Sequence, residues 1–385
     1  MRLFRIIATF QAIFLQHALA ETASIPPSAV TPIYVGTQTS EGIWRVELNT
    51  STGEVSSPEI AAKLRNPNAL TLDRERRFLI ATSLNKAVLQ GGEKPTVWNT
   101  LHTFRIEKDY QLSPVGIQLT GSKSCCHLTP NPKRNHIYNA HFVTGIISSN
   151  TYEDNGSVSS PVSIFQNEGS SIHPKRQRQA LGHAVMPSPD GEHLYSTDLG
   201  TDEVLVFNID AGTAELSLIQ RVKLPPGSGP RHLKFDAEGK QLYVLNELNL
   251  TLSKLQRDSV TGELTVESHH PYSTDSVDDF VNGSEVLLTD DGKFLYTAQR
   301  DRAEKGRAKI SLLSLQDMSI QQEYSIETPV PRHFNISPCG KWLVIAAQRS
   351  NKVVVHERNP TTGRMLRKVS EVDIQSPMWI TFPAK

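Results

Sequence analysis

Side chains that can bind anions and move protons recur at two kinds of position in this sequence. One kind is occupied by His183, Arg231 and Arg332, and the other by Glu247, Arg300 and Gln348. Arginine guanidinium groups match the paired oxygens of carboxylates and phosphates, and histidine or glutamate can accept a proton from water or from carbon. Together these residue types are suited to holding an anionic compound while a proton is transferred.

Both kinds of position belong to a repeated unit of two short alternating segments joined by a polar turn that contains glycine. In one unit, residues 230–235 lead through a turn at 236–240 to residues 242–245. Seven such units align, at spacings of 46 to 58 residues. Their start positions are Asn68, Cys126, His183, Arg231, Ser284, Arg332 and Met378. A period of two residues within units of this length is typical of the four-stranded blades of a β-propeller.

The last unit is incomplete, and this predicts how the fold closes. Residues 378–382 supply only an inner strand, whereas residues 33–36 and 42–48 supply strands that have no inner partner. Pairing the two ends of the chain would complete one blade and close the ring without an exposed sheet edge. We therefore expect an all-β protein in which residues 21–385 form a single seven-bladed β-propeller, closed by N- and C-terminal strands in one blade.

Blade geometry brings the two kinds of position together. The first strand of a blade begins, and the antiparallel second strand ends, at the same face near the central axis. Polar residues of several blades should therefore surround one mouth of the channel. Asp198, one residue before such a strand end, is a further candidate, although it also has the character of a turn residue that accepts backbone N–H groups. Strand alternation predicts that His232 and His333, which directly follow start positions, point away from the axis.

Five segments carry a resemblance to a known family. They are His183-Ala184-Val185, Ser188-Pro189-Asp190-Gly191, Asp198-Leu199-Gly200-Thr201-Asp202, Gly227-Ser228-Gly229-Pro230-Arg231-His232 and Asn246-Glu247-Leu248. They resemble the seven-bladed propeller lactonase family, which contains 6-phosphogluconolactonases and fungal carboxy-muconate cyclases. The resemblance implies that the catalytic residues are His183, Arg231, Glu247 and Arg300. We add Arg332, His232, Asp198 and Gln348 as candidate substrate contacts.

These residues would support two related reactions. Arg231 and Arg300 would hold a carboxylate or phosphate and stabilise an oxyanion, and His183 or Glu247 would act as general base. We expect a secreted lactonase that uses no cofactor or metal and acts on a sugar lactone bearing a carboxylate or phosphate. The alternatives are a cycloisomerase of the carboxy-cis,cis-muconate cyclase type, acting on a muconate-like substrate, and a non-catalytic propeller glycoprotein that functions in binding or adhesion.

Structural roles are the alternative for several of these residues. Arg231 and Glu247 could form an ion pair between blades, and His183 could be a hydrogen-bonded structural group. A metal site would require His127, His141 and His183 to approach one another. The adjacent cysteines Cys125 and Cys126 could form a vicinal disulfide or remain free thiols, since Cys339 lies in a turn at the opposite face.

Features near the N-terminus and along the chain indicate export. Arg2 and Arg5 precede a short apolar run that ends in Ala18-Leu19-Ala20, so residues 1–20 have the pattern of a secretory signal peptide. Glycosylation acceptor triplets begin at Asn49, Asn155, Asn249, Asn282 and Asn335. We expect a secreted glycoprotein in which acceptor sites buried in sheet remain unmodified.

The composition excludes several classes of partner. Forty basic residues balance 40 acidic ones, which argues against nucleic acid as the main ligand. The hydrophobic fraction of 38% argues against disorder, and three cysteines are too few for a disulfide-stapled scaffold. No later segment is apolar over a length that would span a membrane. We expect a monomer, with long connections at residues 85–99 and 150–179 that could contribute to a binding site.

Overall fold

A computed structural model describes residues 30–84 and 99–384, whose regular structure consists of strands. The predicted signal peptide and residues 85–98 lie outside the described residues. The described residues contain no helix, and hence none that is long and apolar enough to cross a membrane. The first fifteen strands are β1 (Val30–Thr37), β2 (Gly42–Asn49), β3 (Glu59–Lys63), β4 (Leu70–Leu72), β5 (Phe78–Leu84), β6 (Asn99–Ile106), β7 (Leu112–Leu119), β8 (Cys125–Pro130), β9 (His136–His141), β10 (Ile146–Thr151), β11 (Ser163–Gln166), β12 (Gly182–Pro187), β13 (His193–Asp198), β14 (Glu203–Ile209) and β15 (Leu216–Lys223). The remaining strands are β16 (Pro230–Phe235), β17 (Gln241–Asn246), β18 (Thr251–Arg257), β19 (Leu264–Pro271), β20 (Val281–Leu288), β21 (Leu295–Asp301), β22 (Lys309–Leu313), β23 (Ile320–Ser325), β24 (Pro331–Ile336), β25 (Trp342–Ala347), β26 (Lys352–Arg358), β27 (Met365–Asp373) and β28 (Pro377–Thr381).

These strands form seven four-stranded sheets, which are the blades of a β-propeller. Blade 1 combines β28 with β1–β3, and blades 2 to 7 are β4–β7, β8–β11, β12–β15, β16–β19, β20–β23 and β24–β27. The innermost strand of every blade contacts the innermost strands of both neighbouring blades, so the ring is closed. The prediction of a seven-bladed all-β propeller is confirmed.

Blade 1 is the blade in which the two ends of the chain meet. Strand β28 pairs antiparallel with β1, so that Tyr34 faces Thr381 and Val35 faces Ile380. The predicted closure is therefore confirmed. The connection at residues 150–179, in contrast, is not a single loop, because it contains β11 as the outer strand of blade 3.

Apolar side chains fill the space between neighbouring blades. Val204 and Val206 of blade 4 pack with Leu233 and Val244 of blade 5, and all four are buried. Because alternate residues of a strand face opposite sides of its sheet, each blade presents apolar side chains to both neighbours. Burial of aliphatic side chains of this size contributes about 1.5–3 kcal/mol each to stability.

The polar turn of the repeat joins the first two strands of a blade on the far side from the predicted mouth. In blade 5 this turn contains Gly239, whose φ is +69°. Glycine adopts this left-handed conformation without the steric cost that a Cβ atom imposes. The recurring glycine is thus explained by the backbone of the turn and has no direct part in the site.

The five predicted glycosylation acceptors occupy different environments. Asn155 is exposed in a turn of blade 3. Asn49, Asn249 and Asn335 are half-buried, and Asn282 is buried with its Nδ2 donating to the carbonyl oxygen of Val281. Accessibility therefore favours modification of Asn155 and disfavours it at Asn282, while glycosylation itself stays a prediction.

Candidate active site

Six of the seven start positions are bulged residues of the innermost strands. In β16, Pro230 pairs with Asn246 and His232 pairs with Leu245, which leaves Arg231 without a partner on β17. Equivalent bulges are centred on Cys126, His183, Ser284, Arg332 and Met378. A bulge re-aims the side chain of its extra residue relative to a regular strand. The bulges are the local feature that directs His183, Arg231 and Arg332 towards the mouth of the channel.

A cavity of about 800 Å³ occupies this mouth. Five of the predicted site residues line it, namely His183, Glu247, Arg300, Arg332 and Gln348. Arg231 lines an adjoining recess of about 20 Å³, which also borders Arg332 and His232. The fold therefore brings together all four predicted catalytic residues, whose roles in a reaction stay predictions.

Glu247 is the only carboxylate among the described residues that line the cavity, and three arginines hold it. Its Oε2 lies 2.9 Å from Nη2 of Arg300 and 3.6 Å from Nε of Arg231. Its Oε1 accepts a hydrogen bond of 2.5 Å from Nη2 of Arg176. The predicted Arg231–Glu247 ion pair thus exists, and it belongs to a larger cluster that faces the cavity.

The charge states of Glu247 and His183 follow from this cluster. Burial raises the pKa of Glu247, but the charges of Arg300, Arg176 and Arg231 outweigh it and hold that pKa well below the usual range. Burial, reinforced by the charge of Arg231, lowers the pKa of His183 well below its usual value. The guanidinium of Arg231 lies against the His183 ring. At neutral pH, Glu247 is therefore ionised and His183 is neutral.

Two further arginines of the cavity have no partner in the described part of the chain. The guanidinium groups of Arg332 and Arg302 make neither hydrogen bonds nor ion pairs there, although both side chains are partly buried. Burial, together with repulsion from Arg300, lowers the pKa of each to about 10. Both remain charged at neutral pH. Glu247 attracts both guanidinium groups from beyond ion-pair distance, but it already pairs with three other arginines. The cavity therefore has an excess of positive charge that favours binding of an anion.

The orientation predicted for His232 and His333 is wrong. His127, His232, His333 and Trp379 follow start positions in four different blades, yet their rings are in contact. The ring centroids of His127 and His232 are 5.3 Å apart, and those of His333 and Trp379 are 4.3 Å apart. Such contacts are possible only across the central axis. After a bulge, the next residue also faces the channel, so simple alternation does not hold at this position.

These residues, of which the three histidines are buried and Trp379 is partly buried, form a layer next to the cavity and do not line the cavity itself. Nδ1 of His232 lies 2.8 Å from Oε1 of Glu285, and Nε2 of His333 lies 3.5 Å from Oε2 of the same carboxylate. Burial lowers the pKa of His333 to about 3, so this imidazole is neutral. Glu285 thus occupies one ring nitrogen of His232, which borders the small recess and not the cavity, and the substrate contact expected of His232 stays a prediction.

Asp198 likewise does not line the cavity. Its Oδ1 accepts hydrogen bonds from the backbone N–H groups of Leu181, Gly200 and Thr201, and its Oδ2 accepts one from Nδ2 of Asn167. The prediction that Asp198 contacts substrate is therefore wrong, and its predicted role in a turn is confirmed. The carboxylate stabilises the turn after β13 by satisfying backbone donors that would otherwise lack partners.

The cysteines and the histidines near the mouth have ordinary structural surroundings. Cys125, Cys126 and Cys339 are free thiols. Cys126 borders the cavity, but burial raises its pKa to about 11, which keeps the thiol protonated.

Nε2 of His141 lies 3.2 Å from the carbonyl oxygen of Thr120. Among the described residues, no group of three or more His, Cys, Asp or Glu side chains is arranged to hold a metal ion.

Comparison with known proteins agrees with the seven-bladed fold. The model of the family described as Lactonase, 7-bladed beta-propeller matches residues 32–382. The chain belongs to this family. A 6-phosphogluconolactonase of Bacillus subtilis (strain 168) is 28% identical over 353 residues, which cover 91% of this chain and 97% of that protein. A 6-phosphogluconolactonase of Formosa agariphila is 26% identical over 353 residues, covering 88% of this chain and 96% of its relative.

The similarity to a solved structure covers nearly the whole lactonase-family domain. The periplasmic gluconolactonase of Pseudomonas aeruginosa has a TM-score of 0.82 and 26% sequence identity to this chain. The match covers 92% of this chain and 99% of that structure. The resemblance inferred from five short segments therefore holds for the complete propeller.

Three arginines that line the cavity of this lactonase-family member were not among the predicted site residues: Arg176, Arg302 and Arg349. Arg302 and Arg349 follow the ends of β21 and β25 by one and two residues, so the turn after each second strand would have been a usable signal. Arg176 lies in the connection between β11 and β12. No repeat position marks it, because only the docking of that connection over the mouth places it there.

Proposed function

We propose that the protein hydrolyses the ester bond of a sugar lactone that carries a carboxylate or phosphate group. The observation that carries this proposal is the pair of unpartnered guanidinium groups, Arg302 and Arg332, in a cavity whose described lining contains one carboxylate. Arginine forks bind carboxylate and phosphate oxygens through paired hydrogen bonds. The anion of the substrate would neutralise both arginines and place the lactone ring near Glu247.

In the proposed reaction, Glu247 accepts a proton from water while the water oxygen attacks the carbonyl carbon of the lactone. Arg300 and Arg231 stabilise the negative charge that develops on the carbonyl oxygen. When the tetrahedral intermediate collapses, the bond from the carbonyl carbon to the ring oxygen breaks, and Glu247 returns the proton to that oxygen. Neutral His183 borders the same cavity, where its ring can hydrogen-bond to the substrate.

The names of similar proteins support a sugar lactone as the substrate. Those of Bacillus subtilis and Formosa agariphila are named 6-phosphogluconolactonases, and that of Pseudomonas aeruginosa is named a periplasmic gluconolactonase. The substrates in these names differ by one phosphate group. The two compounds to compare are therefore 6-phosphogluconolactone and gluconolactone. A carboxy-muconate in the same assay tests the cycloisomerase alternative.

Replacing Arg332 with alanine is expected to raise KM for 6-phosphogluconolactone by about 10–100-fold, since a hydrogen-bonded charge contact is worth about 1.5–3 kcal/mol. KM for gluconolactone, which has no phosphate, should change much less. Steady-state kinetics on both lactones measure the difference. Arg367→Ala, on an exposed outer strand, is the matched control. Equal effects of Arg332→Ala on both substrates would contradict anion binding at Arg332.

We also propose that the protein is exported. Residues 1–20 have the pattern of a secretory signal peptide, and a similar protein is named periplasmic. Cleavage after Ala20 is expected in a secreting host. N-terminal sequencing of the purified protein checks this, and a product that begins at Met1 inside the cell would contradict the proposal.

A further inference from the structure

The two oxygens of the Glu247 carboxylate are held by different parts of the molecule. Oε2 is held by Arg231 and Arg300, which stand on β16 and β21 and have side chains only 2% and 1% exposed. Oε1 is held by Arg176, which lies in the connection between β11 and β12 and has a side chain 25% exposed. Among the described residues, Arg176 is the only hydrogen-bond partner of Oε1.

The connection that carries Arg176 is anchored through its backbone and its other side chains. Gln177 donates from Nε2 to the carbonyl oxygen of Leu199 at 2.8 Å and to Oδ1 of Asp202 at 2.7 Å. Lys175 pairs with Asp279 at 2.8 Å. The backbone next to Arg176 is therefore held at the buried Gln177, and rotation of the Arg176 side chain alone can move its guanidinium between Glu247 and the cavity.

The three ion pairs of Glu247 differ in how readily they exchange partners. Withdrawing Arg231 or Arg300 would leave a buried charge without compensation, which is costly. Arg176 is 25% exposed and lines the cavity, so a second anion can replace Glu247 as its partner with less desolvation than at Arg231 or Arg300. An anionic ligand that enters the mouth therefore competes with Glu247 for Arg176 in particular.

Resting on the function proposed above, we propose that Arg176 is a displaceable cap on Oε1 of Glu247, removed when the anionic group of the substrate binds its guanidinium. Removal of the cap frees an oxygen that faces the cavity, while Arg231 and Arg300 continue to hold Oε2. The freed Oε1 then takes the proton of the attacking water and later returns it to the ring oxygen that leaves. Arg176 thus acts as a positioning residue that couples recognition of the anion to activation of the base.

The cap predicts opposite effects of Arg176→Gln on charged and neutral substrates. For 6-phosphogluconolactone, the variant loses an anion contact, and KM is expected to rise by about 10-fold or more. For gluconolactone, which cannot displace Arg176, the variant is expected to have a kcat/KM roughly 3–10-fold above that of the parent protein, because its Oε1 is always free. A purely structural role for Arg176 would lower activity towards both lactones.

Inorganic phosphate provides a second test on the unmodified protein. It is expected to accelerate turnover of gluconolactone by drawing Arg176 away from Glu247, and to have no such effect on Arg176→Gln. Arg178→Gln is the matched control, since Arg178 lies on the same connection, is exposed and donates to the carbonyl oxygen of Pro174. It should behave like the parent protein. Loss of activity towards both lactones in Arg176→Gln, or inhibition by phosphate at all concentrations, would overturn the cap.

A crystal structure with bound phosphate separates failure of the cap from failure of the proposed function. Phosphate on Arg176, with its guanidinium withdrawn from Oε1 of Glu247, supports the exchange of partners whether or not a lactone is turned over. An Arg176 that keeps its bond to Glu247 while phosphate occupies the cavity refutes the cap, even if the protein is an active lactonase. Absence of turnover of every lactone, with the exchange observed, refutes only the proposed function.

Discussion

Replacing Glu247 with glutamine is expected to lower kcat/KM for lactone hydrolysis by about 10²–10⁴-fold, the usual contribution of a general base. Glutamine keeps the size of the side chain but cannot accept the proton of the attacking water. Steady-state kinetics with 6-phosphogluconolactone and gluconolactone measure this loss. Glu192→Gln, at an exposed position on the opposite side of blade 4, should retain full activity.

The same carboxylate predicts the pH dependence of the reaction. Since the arginines hold the pKa of Glu247 well below its ordinary value of 4.5, the base stays ionised as the pH falls and becomes protonated only when the pH approaches that lowered pKa. The acidic limb of kcat/KM should therefore lie below pH 4.5. A limb near or above 4.5 would show that another group provides the base.

Glutamine at position 247 also removes the negative charge that compensates three arginines, so its effect on folding must be measured separately. Glu247→Asp keeps the charge and shortens the side chain by one methylene group. We expect this variant to unfold at nearly the parent temperature and to remain catalytically impaired, because its carboxylate is displaced. Full activity of Glu247→Gln would exclude Glu247 as the base.

Removal of the last strand is expected to abolish the cooperative fold. A chain that ends at Ser376 lacks β28, so β1 loses its inner partner and the ring is open between blades 7 and 2. It also loses the buried side chains of Ile380 and Phe382 from the core shared by blades 1 and 7. Two such losses, at about 2–5 kcal/mol each, are comparable with the whole stability of a domain.

Thermal unfolding followed by circular dichroism, together with size-exclusion chromatography, measures the result. A chain that ends at Ala384 is the control and should unfold as the parent protein does. Addition of a synthetic peptide of residues 375–385 to the truncated chain is expected to restore part of the transition, because it can replace the missing strand. A single sharp transition at the parent temperature without the peptide would contradict the role of β28 in closure.

Much of the architecture is determined by local sequence pattern. The alternation of apolar residues, the recurring turn and the spacing of its glycines define seven units, because every blade must present apolar side chains to both neighbours. The incomplete last unit predicts the partnership of β28 with β1, since an unpaired inner edge would be left otherwise. Alignment of the units also predicts that His183, Glu247, Arg300, Arg332 and Gln348 lie at one mouth.

Only the tertiary structure decides how individual side chains are used at that mouth. Bulges at Arg231 and Arg332 turn the residues that follow, His232 and His333, into the channel, and a period-two pattern does not reveal where a bulge interrupts it. The turn role of Asp198 follows from the local donors Gly200 and Thr201, whereas its further donors, Leu181 and Asn167, reach it only when the blades have formed.

Arg176 is the clearest case of a residue that sequence pattern does not assign to the site. It meets Glu247 from 71 positions away, through a connection docked above the ring. The sequence alone determined the number of blades, their closure and the face that carries the charged residues, because these depend on periodicity. The partners of each charge depend on distances between remote segments, which no local pattern encodes.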